Sequence, residues 1–103
     1  MKDRRHQDEV ARIVAGSVPQ ALLGAVTPDL RCVQGLIDGD WIRLRAVYAS
    51  VPTAVDIEDM SVVETEVMAA FDSSVSVQME VCQTPKCMPC RVEGWTTYYQ
   101  RKE

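Results

Sequence analysis

The chain has 103 residues, 47% hydrophobic and 25% charged, which suits one modest core and is too little for two, so a single domain over residues 1–103 is expected. Fifteen acids against eleven bases give a net charge of -4, which argues against a nucleic-acid binder with its cationic face. No run approaches the roughly 20 apolar residues of a membrane span, and "MKDRRHQDEV" lacks a secretory apolar core, so a cytoplasmic location, no membrane partner and reduced thiols are expected.

In chain order, "DRRHQDEVARIVAG" places Val10, Ile13 and Val14 at helical spacing, with Asp3 as N-cap and Gly16 as a stop. "SVPQALLG" reads as a second helical turn: Ser17 caps it, Gln20 holds the capping-box position, Pro19 is early enough to be tolerated, and Gly24 ends it. Pro28 then biases Thr27 to extended backbone. "LRCVQGLI" and "WIRLRAVYA" read as strands joined by a tight turn at "DGD". In the second strand Ile42, Leu44, Ala46 and Tyr48 alternate with Trp41, Arg43, Arg45 and Val47, the pattern of a sheet covered on one side only.

"VDIEDMSVVETEVMAAF" is the strongest helical pattern, with Asp56 as its expected N-cap and Ile57, Met60, Val63, Val67 and Phe71 or Ala70 as its apolar stripe. "SSVSVQMEV" alternates strictly, and "RVEGWTTYYQRK" has strand composition. The expected fold is α+β, an antiparallel four-stranded sheet with helices packed on one face, in the order ααββαββ.

Concentrated chemistry occurs only in "VCQTPKCMPC". Cys82, Cys87 and Cys90, with Cys32 or His6 from upstream as the fourth donor, could converge on zinc, but one paired knuckle plus a lone cysteine is not the spacing of structural zinc sites. Redox use of Cys87 and Cys90 lacks the helix N-terminus that makes such thiols acidic. The favoured reading is a loop of the final hairpin shaped by Pro85 and Pro89, with no metal and no cofactor. His6 is the sole histidine, and no nucleotide-binding or hydrolase motif is present, so the chain is read as not an enzyme. Glu64 is expected at the edge of the helix stripe, facing Arg43 or Arg45.

Charge is concentrated in the middle of the chain. Residues 51–80 hold Asp56, Glu58, Asp59, Glu64, Glu66, Asp72 and Glu80 without one Lys or Arg. Such a segment steers a basic partner, and Asp56, Glu58, Asp59, Glu66 and Asp72 are the candidate partner-binding residues. Trp41, Arg43, Arg45 and Val47, with Trp95, Thr97 and Tyr99, are further candidates for an open sheet face.

"ALLGAVTPDLRCV", followed after two strands by "VVETEVMAAFDSSVSVQMEV", resembles a family of small bacterial proteins similar to the immunity proteins of polymorphic toxin systems. Thr27, Pro28, Leu30, Arg31, Glu64 and Glu66 carry the resemblance, which covers residues 20–81; "YASVPTAVDIED" and the carboxyl-terminal cysteines depart from it. The resemblance implies a helix-and-sheet domain that acts by binding; joined to the charge pattern, it gives the expectation of an immunity protein that neutralises a basic toxin through the acidic helix. The alternatives are a small Cys-ligated metal protein and a homo-oligomer pairing through its sheet.

Overall fold

The computed structural model describes residues 4–71, 75–85 and 88–102, with side chains from residue 8 onward. Helix α1 runs from Arg4 to Ala21 without a break. Val10, Val14 and Val18 recur every four residues and are all buried, as are Ala21 and Leu22, so one apolar stripe continues in phase through Gly16 and Pro19. Glycine inside a helix costs about 1 kcal/mol relative to alanine, whereas burying a valine contributes roughly 1.5 kcal/mol or more. The expected stop at Gly16 and new start at Ser17 are therefore corrected to one helix, and the element order is αββαββ. Gly24, with a φ of 86°, ends the last turn as expected.

Strands β1 (Leu30–Asp38) and β2 (Trp41–Tyr48) form the hairpin expected at "DGD". Gly39 has a φ of 61° at the first of two loop positions, where a type II′ turn needs it. Helix α2 (Ala54–Ala69) then carries the chain back so that β3 (Ser76–Gln83) lies parallel to β2, from Trp41 beside Ser76 to Tyr48 beside Gln83. A helical crossover is what a parallel pair requires. Strand β4 (Thr96–Gln100) pairs antiparallel with β1, giving the order β3-β2-β1-β4. The sheet is thus mixed and not wholly antiparallel. β3 and β4 form its opposite edges and not a hairpin.

Both helices pack on one face. Val10, Val14 and Val18 of α1 and Met60, Val63 and Val67 of α2 meet Leu30, Val33, Ile42, Leu44, Ala46, Tyr48 and Val77 in one apolar core. Gly35 is a close-approach point in this layer, because a Cβ there would lie 2.6 Å from Cε2 of Tyr98.

The edge positions of β3 and β4 dictate the rest. The chain must travel about 14 Å, three strand spacings, and residues 84–85 and 88–95 lie across the sheet face opposite the helices. This strap overturns two expectations: a hairpin loop at "QTPKCMPC", and a sheet covered on one side only.

Candidate interaction surface

Helix α2 begins a turn earlier than expected. Thr53, not Asp56, is its N-cap: Thr53 Oγ1 accepts the Asp56 N–H at 3.1 Å, and Asp56 Oδ2 accepts the Thr53 N–H at 2.9 Å. This capping box satisfies two otherwise orphaned backbone donors at once. Asp56 is only 9% exposed, its carboxylate turned onto the helix terminus. Beneath it the buried Tyr48 hydroxyl has no hydrogen-bond partner among the described residues; burial, then the charges of Asp56, Asp59 and Asp29, hold it protonated well above its ordinary range.

The outward face of α2 is not simply polar. Val55, Asp59, Val62 and Glu66 follow one another at spacings of four, three and four residues, so they line one stripe of the helix. Val55 is 65% and Val62 51% exposed, Glu66 is exposed and Asp59 half-buried. Glu58 flanks Val62 at i−4 and is exposed. Ile57, expected inside, is 52% exposed with Met68 on the opposite flank of the helix, because Met60, Val63 and Val67 with Asp56 already fill the inward arc between the two flanks. Apolar side chains rimmed by carboxylates are the anatomy of a protein interface. Asp72 lies outside the described residues.

Glu64 does not face Arg43 or Arg45. Its Oε2 accepts the Met79 N–H at 2.6 Å, taking up an outward backbone donor of edge strand β3.

The strap face is built from buried polar groups. An irregularity between Leu30 and Cys32 in the pairing of β1 with β2 breaks the alternation, so that Arg31 and Cys32 both reach the strap. Arg31 is 2% exposed, and its Nη1 donates to the carbonyls of Thr84, Pro85 and Met88 at 2.8–3.0 Å. Gln34 Oε1 accepts the Val92 N–H at 2.9 Å. Arg45 donates to the Cys90 carbonyl at 2.9 Å and to Cys82 Sγ at 3.4 Å. These bonds, charge-assisted at the two arginines, tie the strap down at three successive points.

Cys32, Cys82 and Cys90 pack with Val47 under the strap as free thiols. Burial, then the Cys90 thiol, raises Cys32 from its ordinary 9.0 to about 12, with Arg45 and Arg31 pulling the other way. Burial likewise raises Cys82. Cys32 Sγ donates to the Cys90 carbonyl at 3.8 Å and Cys82 Sγ to the Ala46 carbonyl at 3.6 Å, while Arg45 donates to Cys82. Among the described residues no three His, Cys, Asp or Glu side chains are arranged to hold a metal ion. Cys87 and the side chain of His6 lie outside the described residues.

Of the stripe expected on an open sheet face, Arg45 and Val47 are covered by the strap and Thr97 meets Gln34 at 3.3 Å. Tyr99 packs against the helix-side core. Trp41 and Arg43 stay exposed, and Trp95 shares a cavity with Arg43. Sequence reasoning missed Arg31 and Gln34, whose roles depend on a strap more than 50 positions away, and it missed Val55 and Val62. The signal for the valines was present: they stand on the wrong side of an otherwise regular stripe.

Helices backing one face of a four-stranded mixed sheet, with a polar strap on the other, define a small α+β domain. The chain belongs to the MafI2 immunity protein family, whose sequence pattern matches residues 12–103. That span extends past the 20–81 resemblance and takes in the cysteine strap and β4. No curated protein matches the chain in sequence. No helix among the described residues is long and apolar enough to cross a membrane.

Proposed function

We propose that this chain is the protective partner of a protein toxin, and that it neutralises the toxin by docking the outward face of α2 on it. The observation that carries this reading is the line Val55, Asp59, Val62, Glu66: two exposed valines alternate with two acids on a rigid, well-capped helix. The valines supply apolar contact area, and Asp59, Glu66 and the flanking Glu58 attract cationic groups of a basic toxin and fix its orientation. Asp56 belongs to the helix cap and not to this surface. Inhibition then requires no catalysis by this chain, only occupation, in the cytoplasm where the toxin acts.

Association kinetics with the cognate toxin test the electrostatic part. Glu58→Gln with Glu66→Gln is expected to slow association about tenfold at low salt and to flatten its dependence on ionic strength. An unaltered rate and salt slope would remove the steering role from α2.

A further inference from the structure

The three described cysteines stand in a row across the sheet. Cys32 of β1 pairs with Val47 of β2, and Val47 pairs with Cys82 of β3, so the two sheet cysteines are two strand spacings apart, about 10 Å. A disulfide spans at most roughly 7 Å between Cα atoms, so Cys32 and Cys82 do not reach each other. Cys90 comes from the strap and packs in the same cluster, over the row. All three are free thiols, with Cys32 and Cys90 buried.

Of the two sheet cysteines, Cys32 is the one engaged with Cys90. Its Sγ donates to the Cys90 carbonyl, and the Cys90 thiol is near enough to act on its protonation. Cys82 is committed elsewhere, donating to the Ala46 carbonyl and accepting from Arg45 Nη2. Cys32 and Cys90 are 58 positions apart in the chain. A bond between them would close a long loop and strongly restrict the unfolded chain. It would also join an inner strand of the sheet to a segment that lacks regular structure.

We propose that Cys32 and Cys90 are a redox pair, which a low-molecular-weight disulfide converts into a reversible cross-link fastening the strap to β1. The strap is held by a few directional bonds, so it lifts at less cost than the sheet unfolds, and lifting bares Cys90. The Cys90 thiolate, its proton lost to solvent, attacks the reagent RSSR, forms Cys90–S–S–R and releases RS⁻, which is protonated to RSH. Re-seating the strap returns Cys90 to Cys32, whose thiolate displaces the second RS⁻ and leaves the Cys32–Cys90 bond. Two protein thiols thereby lose two protons and two electrons, and the reagent takes up both to leave as two RSH. Burial of Cys32 makes the closing step slow at neutral pH and faster as pH rises. The pair lies on the sheet face opposite the helices, so the inference does not rest on the α2 surface.

The test is equilibration of the full chain with reduced and oxidised glutathione at about pH 8, then acid quenching, alkylation and peptide mapping by mass spectrometry. A Cys32–Cys90 peptide pair is expected, favoured about a hundredfold more in the native chain than in urea. The oxidised protein should melt roughly 10 °C higher, and dithiothreitol should reverse both effects. Cys82→Ser and Cys87→Ser should keep the pair. Cys90→Ser should lose the pair and the rise in Tm together while its circular dichroism stays that of the reduced parent, which separates a lost bond from a lost fold. Four results would each overturn the proposal: a pair no more favoured in the native chain than in urea, glutathione adducts alone, Cys90 joined mainly to Cys82 or Cys87, or disulfide-linked dimers in place of the internal bond.

Discussion

The two faces of the sheet are covered by different physics. The helix face is closed by aliphatic side chains at regular spacing, a non-directional layer in which area decides stability. The strap face is closed by a segment lacking regular structure and held by Arg31, Gln34 and Arg45, whose donors and acceptors meet individual backbone groups of residues 84–92. The first face can be written into local sequence as a period. The second depends on a few directional bonds between residues far apart in the chain, and only the folded sheet brings them together. With both faces occupied, the exposed stripe of α2 is a surface still open to a partner.

Four experiments would sharpen or break that contrast. The largest effect is chemical. With its pKa raised from 9.0 to about 12, Cys32 holds about a thousandfold less thiolate at neutral pH than an ordinary cysteine, so alkylation of the native protein should be slower than in urea by about that factor, read by peptide mass spectrometry. The sign of the pH dependence follows: the unfolded thiol ionises from pH 9 while the native one stays protonated, so stability should fall as pH rises from 9 toward 12, with Tyr48 adding to the loss above its ordinary 10.0. Rapid native alkylation would mean that the strap does not seal the thiols.

Leu44→Ala, in the middle of the helix face, should cost about 2–5 kcal/mol in denaturant unfolding and lower the hydrogen-exchange protection of every core amide together. Arg31→Met should cost less, about 2 kcal/mol, because three carbonyls lose their donor while the expense of burying a charge is relieved. Its exchange signature should be local, with the Val92 amide deprotected first and α2 unaffected. Equal loss across the chain would show that the two faces are a single cooperative layer. Thr53→Ala should be the mildest, about 1 kcal/mol, confined to fraying of the first turn of α2 in circular dichroism and exchange.

Legibility from sequence follows the same divide. The β1–β2 hairpin, the buried positions Met60, Val63 and Val67 of α2, the alternation of β3 and the helix end at Gly24 are all local patterns, and the structure carries them. Gly16 and Ser17 misled because capping signals were weighed over an apolar stripe that passes through them in phase. Asp56 misled as a cap because its partner Thr53 stands outside the acidic run. The parallel pairing of β3 with β2 was hidden, since an alternating strand suits either direction, and only the helical crossover of α2 decides it. The strap was hidden for the same reason. "QTPKCMPC" reads as a tight loop until β4 is seen to pair with β1. Candidate surface residues were legible as charge, in Glu58, Asp59 and Glu66, but the exposed Val55 and Val62 between them needed the helix phase that the structure supplies.

The most direct measurement of the central claim is survival of cells expressing the cognate toxin together with this chain carrying Val55→Asp and Val62→Asp, both at exposed positions where the fold should be retained, as checked by circular dichroism. Loss of protection by the folded double variant, restored when the valines are returned, is the predicted result. Undiminished protection at equal protein level would contradict the assignment of toxin docking to the outward face of α2.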